Sequence, residues 1–385
     1  VLKQTGRVRE SLVASQKSVQ LAPQDEEAHS NLGVTLKELG RLDEAEACYK
    51  QALALKTDFS DAHCNLGNTL QELGKLDEAI ASYKQAIVLE PDYAEAHCNL
   101  GNTLHEQGRL DEAEASYTQA IALKSDYAEA HSNLGNTLKE LGRLDEALAS
   151  YTQAIALKPD YAEANNNLAA TLQELGRLEE AEASYTQAIA LKPSYAEAHN
   201  NLGITLKELG RLGEAEESFR QAIALDPDLA EAHCNLGNTL QELGILEESE
   251  ASCRQAIGLK PDFSEAHCEL GNTLQELGRL DEAEATYRQA IALKPDYATA
   301  HSHLSIVLYI KGYKDLALES IKKANHFDPQ SKDFRFLLWV MKSRKSCEGS
   351  KAVIGDASKV NAFRGLTSNP LILNRVVEAE LISYI

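Results

Sequence analysis

A 34-residue period dominates the sequence and limits the folds that it can adopt. Residues 128–161, AEAHSNLGNTLKELGRLDEALASYTQAIALKPDY, differ from the preceding 34 residues at only 5 positions. Glycine recurs with the same step at Gly6, Gly40, Gly74, Gly108, Gly142, Gly176, Gly210, Gly244, Gly278 and Gly312. Eight of the nine prolines keep the step as well: Pro23, Pro91, Pro159, Pro193, Pro227, Pro261, Pro295 and Pro329. Such a period predicts a repeat protein in which each repeat contacts its neighbours, without one central core.

Each repeat predicts two helices joined by a tight turn. In repeat 128–161, leucines at 134, 138 and 141 share one helical face, and Gly142 follows as a C-terminal glycine. A second apolar stripe contains Leu144, Ala147, Tyr151, Ala154 and Leu157. Acidic residues begin this stripe, and Lys158 and Pro159 end it, as expected for the two ends of a helix. The repeat is therefore a pair of antiparallel helices.

The period divides the chain into segments. Residues 1–25 match only the second half of a repeat, so we expect a truncated repeat there. Nine complete repeats of 34 residues then cover residues 26–331. Residues 332–345 predict an amphipathic helix that caps the stack, with Phe334, Leu337, Leu338 and Met341 on its apolar face.

The segment after the predicted capping helix has no repeat pattern. Residues 346–369 are rich in small and polar residues and predict a linker. Residues 370–385 are apolar again. We interpret them as the start of a further domain, and the alternatives are that they dock back on the repeats or mediate self-association.

The charge balance excludes some classes of partner. The chain has 38 basic and 59 acidic residues, a net charge of −21. A chain this acidic is not expected to bind nucleic acid or anionic membrane surfaces. No apolar run approaches the length of a membrane span. The seven cysteines do not suggest a disulfide framework, which favours a reducing, cytoplasmic location, and no cofactor motif is present.

The repeat resembles the tetratricopeptide repeat (TPR) family at its signature positions. Those positions are Leu134, Gly135, Leu138, Ala147, Tyr151, Ala154 and Pro159. The resemblance covers residues 1–331 and implies an all-α fold, an α-solenoid of stacked antiparallel helix pairs that follows a right-handed superhelix. One departure is systematic, because histidine or Asn165 replaces the tryptophan common in the family. The histidines are His29, His63, His97, His131, His199, His233, His267 and His301.

Asparagines recur on the first helix of the repeats and are the candidate binding residues. We define the first asparagine series as Asn31, Asn65, Asn99, Asn133, Asn167, Asn201 and Asn235. The second asparagine series, three residues further on, is Asn68, Asn102, Asn136, Asn238 and Asn272. The spacing places both on one helical face, and packing of the stack suggests no need for them.

The first asparagine series resembles the asparagines along the inner groove of protein O-GlcNAc transferase repeats. That resemblance implies that the carboxamides hold the main chain of a bound peptide on the concave surface. A carboxamide can indeed both donate to and accept from a peptide unit. The alternative is that each asparagine bonds its neighbour in the stack, or water.

Two further sets of residues share the repeat period. Lysines and glutamines one turn beyond the asparagines either contact an acidic group in the groove or form a solvated face. They are Lys37, Lys139, Lys207, Gln71, Gln173, Gln241 and Gln275. The histidines are interpreted as packing residues, because stacked helices are separated by about 9–10 Å and a metal site requires much closer ligands.

No catalytic constellation stands out, because every candidate residue is copied many times. We therefore predict a protein-interaction module that holds an extended peptide or a partner protein. The alternative is the substrate-recognition arm of a larger modifying enzyme, such as a glycosyltransferase of the O-GlcNAc transferase type, an oxygenase or a sulfotransferase, with its catalytic domain beyond residue 385.

Overall fold

The computed structural model describes residues 8–345, and the side chains of residues 10–342. The chain divides into two units, Val1–Pro193 and Ser194–Ile385, and each is described by itself. The predicted linker 346–369 and the apolar segment 370–385 lie outside the described residues, as do residues 1–7 of the predicted partial repeat.

The first unit contains eleven helices among its described residues. They are α1 Val8–Leu21, α2 Glu26–Glu38, α3 Leu42–Leu55, α4 Ser60–Glu72, α5 Leu76–Leu89, α6 Ala94–Glu106, α7 Leu110–Leu123, α8 Ala128–Glu140, α9 Leu144–Leu157, α10 Ala162–Glu174 and α11 Leu178–Leu191. Each helix packs on the next one in the chain, and the first helices of adjacent repeats, such as α4 and α6, also touch.

The second unit continues the same pattern with nine helices among its described residues. They are α12 Ala196–Glu208, α13 Leu212–Leu225, α14 Ala230–Glu242, α15 Leu246–Leu259, α16 Ser264–Glu276, α17 Leu280–Leu293, α18 Ala298–Ile310, α19 Lys314–Phe327 and α20 Lys332–Lys345. All regular secondary structure described in residues 8–345 is helical. The predicted all-α stack of helix pairs is confirmed.

The turn inside each repeat is a glycine-dependent helix end. Gly142 has φ of +74°, in the left-handed region that favours glycine. The amide of Arg143 donates to the carbonyl of Leu138 at 2.9 Å, and the amide of Gly142 donates to that of Lys139 at 2.9 Å. These two bonds are a Schellman motif, which ends α8 and starts α9 two residues later. The predicted role of this glycine is confirmed.

A second glycine makes room for an aromatic ring inside each pair. A Cβ atom built on Gly135 would lie 2.7 Å from the ring of Tyr151, which is completely buried. The same relation joins Gly101 to Tyr117. This glycine therefore seats a tyrosine between the helices, as close packing of the pair requires.

The helix α20 packs on α19 through its predicted apolar face. Leu337 is fully buried and Met341 nearly so, and Phe334 and Leu338 pack against the same cluster. Its capping role stays a prediction. Across residues 8–345, no helix combines the length and hydrophobicity that crossing a bilayer requires.

Candidate functional site

A groove runs along the first helices of the first unit. Its lining comes from α2, α4, α6 and α8, and its volume is about 540 Å³. The lining residues are Lys37, Asn68, Gln71, Glu72, Glu95, Asn99, Glu106, Tyr127 and Glu129. Members of both asparagine series therefore lie on one continuous polar surface.

Asparagines of the second series accept hydrogen bonds from buried tyrosine hydroxyls. The hydroxyl of Tyr83 donates to Asn68 Oδ1 at 2.7 Å, and that of Tyr117 donates to Asn102 Oδ1 at 2.8 Å. The repeats at Asn136 and Asn272 have the same bond, from Tyr151 at 2.7 Å and from Tyr287 at 2.8 Å. Burial raises the pKa of Tyr83, Tyr117 and Tyr151, so each of these hydroxyls keeps its proton and donates.

The first asparagine series bonds to the second series of the preceding repeat. Asn99 Nδ2 donates to Asn68 Oδ1 at 2.9 Å, and Asn133 Nδ2 donates to Asn102 Oδ1 at 2.8 Å. Asn167 repeats the bond to Asn136 at 3.0 Å. The expectation that the stack does not need these asparagines is therefore wrong, because their carboxamides join adjacent repeats.

Part of each carboxamide is still unused. Asn68 Oδ1 accepts both Tyr83 and Asn99, whereas its Nδ2 donates to no acceptor within residues 10–342. On Asn99 the situation is reversed: Nδ2 donates, and Oδ1 accepts no bond from the described side chains. Both residues are half-buried and line the groove. We call such a pair of bonded asparagines, one from each series, a rung. Each rung thus presents N–H donors and a carbonyl oxygen to the groove, which are the groups that bind a peptide unit.

The remaining predicted asparagines have other surroundings. In the first unit, Asn31 is exposed and Asn65 is half-buried. In the second unit, Asn201 is half-buried, and Asn235 Nδ2 donates to Asn200 Oδ1 at 3.0 Å. The structure therefore brings only part of each series into the regular pairs.

A carboxylate replaces a first-series asparagine in the second unit. Glu269 occupies the position of the first-series asparagine in its repeat. Its Oε2 accepts from Asn238 Nδ2 at 2.7 Å and from Asn272 Nδ2 at 3.0 Å. Lys207 also bonds Asn238 Oδ1. The amides here are engaged by charged side chains.

The lysines and glutamines beyond the asparagines pair with glutamates of the next repeat. Lys37 Nζ lies 3.1 Å from Glu72 Oε1, and Gln71 Nε2 donates to Glu106 Oε2 at 3.2 Å. Further pairs of this kind are Lys139–Glu174 at 3.8 Å, Lys207–Glu242 at 3.0 Å and Gln241–Glu276 at 2.8 Å, while Gln275 accepts from Tyr287 at 3.2 Å. These lysines already have carboxylate partners, so the sequence-based hypothesis that they contact an acidic ligand loses its basis.

The histidines fix the loop that precedes their helix. His97 Nε2 donates to the carbonyl of Pro91 at 3.2 Å, and His301 Nε2 makes the same bond to Pro295 at 3.0 Å. Burial lowers the pKa of His63, so its ring is neutral at pH 7 and bonds the Thr57 carbonyl at 3.2 Å. The interpretation of the histidines as packing residues stays a prediction. Within the described part of the chain, no group of three or more His, Cys, Asp or Glu side chains can hold a metal ion.

Sequence reasoning missed the tyrosine partner of the second asparagine series. Repeat 196–229 has both Phe219 in place of the tyrosine and Ile204 in place of the asparagine. Other repeats do not keep this relation, because Tyr49 occurs with Val34 and Asn238 with Cys253. The sequence alone therefore did not indicate the contact.

Comparisons with known proteins agree with this architecture. A family model described as the C-terminal domain of cilia and flagella-associated protein 70 matches residues 57–269, more than half of the chain. A model described as the TPR repeat matches residues 35–74 and 271–312. The chain therefore belongs to the family of tetratricopeptide repeat domains described as the C-terminal domain of cilia and flagella-associated protein 70. No curated protein matches it.

Two solved structures with TM-scores above 0.5 share the fold at low sequence identity. A chain of the APC/C hetero-tetramer Cut9–Hcn1 is 15% identical with a TM-score of 0.56, over 86% of this chain and 81% of that chain. A tetratricopeptide repeat protein from Parabacteroides merdae is 21% identical with a TM-score of 0.53, over 65% of this chain and 98% of its own. YrrB, described as a TPR protein with an unusual peptide-binding site, is 24% identical with a TM-score of 0.41, over 48% and 95%.

Proposed function

We propose that the chain is a protein-interaction module that holds an extended peptide segment along the groove of the first unit. One observation carries this proposal: Asn68 and Asn99 line the groove, and each keeps an unused hydrogen-bonding atom of opposite kind. The resemblance to O-GlcNAc transferase repeats stays a prediction, as does the predicted role of the other asparagines.

The spacing of the rungs suits an extended main chain. Packed helices are separated by about 8–10 Å, and an extended chain advances about 3.3 Å per residue, so about three peptide residues span one repeat. Asparagine carboxamides 34 residues apart can therefore bond every third peptide unit. A segment of about twelve residues would span four repeats.

A selection from random peptides tests the proposal. Peptides of about twelve residues, the length that spans four repeats, are displayed on phage and enriched on the immobilised protein. We expect enriched peptides to bind the double variant Asn99→Ala/Asn133→Ala more weakly, by about tenfold, because two rungs lose their free carbonyl oxygens. Unchanged binding by this variant would contradict the proposal.

A matched variant separates groove binding from general effects. Gln153 and Gln187 are exposed on α9 and α11, the second helices of their repeats. Gln153→Ala/Gln187→Ala removes two carboxamides outside the groove and should leave binding unchanged. Both variants are compared by circular dichroism, so that a loss of helix is not mistaken for a loss of binding.

A further inference from the structure

The groove in the first unit carries an excess of negative charge. Among its lining residues are four glutamates and a single lysine: Glu72, Glu95, Glu106, Glu129 and Lys37. Lys37 is paired with Glu72 at 3.1 Å, so its charge is already matched. The groove is therefore electrostatically suited to a cationic partner.

Among the described residues, Glu95 and Glu129 have no cationic partner, and unlike Glu106, which accepts from Gln71 Nε2 at 3.2 Å, neither bonds a described side chain. They lie in the first turns of α6 and α8, and both are exposed. No lysine or arginine nitrogen among residues 10–342 lies within ion-pairing distance of either carboxylate. Two carboxylates on adjacent first helices are thus available to a bound cation.

Two equivalent glutamates of the second unit differ in this respect. Glu231 lies 3.1 Å from Lys260 Nζ, and Glu265 lies 3.5 Å from Lys294 Nζ. In the first unit the lysine that corresponds to Lys260 is Lys124, whose Nζ lies 4.8 Å from the ring centre of Tyr127. Glu163 of the first unit also has a cation, at 2.9 Å from Lys192 Nζ, so Glu95 and Glu129 differ from these three glutamates in being unpaired.

We infer that the groove selects an extended segment rich in lysine or arginine. The asparagine carboxamides bind its main chain, and Glu95 and Glu129 pair with basic side chains about three residues apart, the distance that one repeat spans. The inference rests on the proposed function and adds the chemical class of the partner.

Three synthetic peptides of about twelve residues, long enough to span four repeats, test the inference by fluorescence anisotropy. They share a Gly-Ser background and carry Lys, Gln or Glu at every third position. We expect the Lys peptide to bind at least about fivefold more tightly than the Gln peptide, with the difference shrinking as salt is raised. The Glu peptide should bind the weakest.

The outcomes separate the two proposals. Equal binding of the Lys and Gln peptides would overturn the preference for basic segments and leave the peptide groove standing. Failure of all three peptides, together with failure of the random selection, would overturn the groove itself.

Paired variants locate the charge effect. Glu95→Gln/Glu129→Gln should weaken binding of the Lys peptide about fivefold, since two ion pairs are lost. Glu231→Gln/Glu265→Gln changes the same repeat positions, also in first helical turns, and should leave the affinity unchanged. An equal loss in both variants would show a general charge effect and would contradict the assignment to this groove.

Discussion

The two units share one sequence pattern but differ in the polar contacts of their helix pairs. We compare three repeats of the first unit, residues 60–161, with three repeats of the second, residues 196–297. In the first set, every second-series asparagine accepts a bond from a buried tyrosine hydroxyl. In the second set, the equivalent pairs are Ile204 with Phe219, Asn238 with Cys253, and Asn272 with Tyr287. The comparison shows that the asparagine serves the buried hydroxyl as well as the groove surface.

The repeat 26–59 of the first unit lacks this asparagine and supports the conclusion. It has Val34 at the asparagine position but keeps Tyr49, which is completely buried. The Tyr49 hydroxyl has no hydrogen-bond partner among the described residues. A buried donor without an acceptor costs free energy, so this repeat should be less stable than one with the pair.

The largest expected effect comes from filling the space beside a tyrosine. Gly135→Leu places a side chain where even a Cβ lies 2.7 Å from the Tyr151 ring, so we expect a loss of about 3 kcal/mol in the free energy of unfolding. Urea unfolding followed by far-UV circular dichroism measures it. The control is Gly213 in α13, which is exposed with no atom near its Cβ position. Gly213→Ala should stabilise by about 0.5–1 kcal/mol, and equal losses at both sites would contradict the packing argument.

Removal of a second-series asparagine should cost less. Asn102→Ala leaves the buried Tyr117 hydroxyl without its acceptor and removes the acceptor of Asn133, so we expect a loss of about 2 kcal/mol. The double variant Asn102→Ala/Tyr117→Phe should recover part of that loss, because it removes the hydroxyl as well. A double-mutant cycle of urea midpoints checks this. Additive effects of the two changes would mean that the hydroxyl and the carboxamide are not coupled.

Restoration of the pair in repeat 26–59 should stabilise the protein. Val34→Asn supplies an acceptor for the Tyr49 hydroxyl, which should raise the free energy of unfolding by about 1 kcal/mol. The loss of the packing contacts of Val34 reduces this gain. Thermal unfolding measures the gain. The same exchange in a Tyr49→Phe background should give no gain, and a gain of equal size there would assign it to another cause.

The smallest effect is a dependence of stability on pH. Hydrogen bonds from Lys50 at 2.6 Å and Lys75 at 2.8 Å lower the pKa of the nearly buried Glu46 below its usual 4.5. Because the folded pKa is depressed, the pair stabilises the protein above pH 4.5, and this contribution is lost as the pH falls through the folded pKa. We therefore expect the difference in melting temperature between wild type and Glu46→Gln to shrink below pH 4.5.

Ile80 and Leu148 occupy the equivalent position in other repeats of the first unit. A variant at Leu148, such as Leu148→Ile, should show no such trend.

Much of the fold and part of the site could be predicted from the sequence. The turn at Gly142, the helix pair around it and the apolar face of α20 follow from helical periodicity and from the conformation of glycine, which are local properties. The rows of asparagines were also visible as positions. Bonding of each asparagine to its neighbour in the stack was one of two alternatives, and the sequence could not choose between them, because Asn99 and Asn68 are 31 residues apart and lie on different helices.

The repeat can be read from the sequence alone: its length, its two helices, its glycine turn and the face on which the asparagines lie. Which polar atoms are used and which are available depends on the three-dimensional arrangement of the helices. Glu95 and Lys124 have the same separation in sequence as Glu231 and Lys260, yet only the second pair forms an ion pair. The physical reason is that an ion pair or a hydrogen bond requires atoms within a few ångströms of each other. That distance depends on how neighbouring helices are placed, and a local pattern of residues does not specify it.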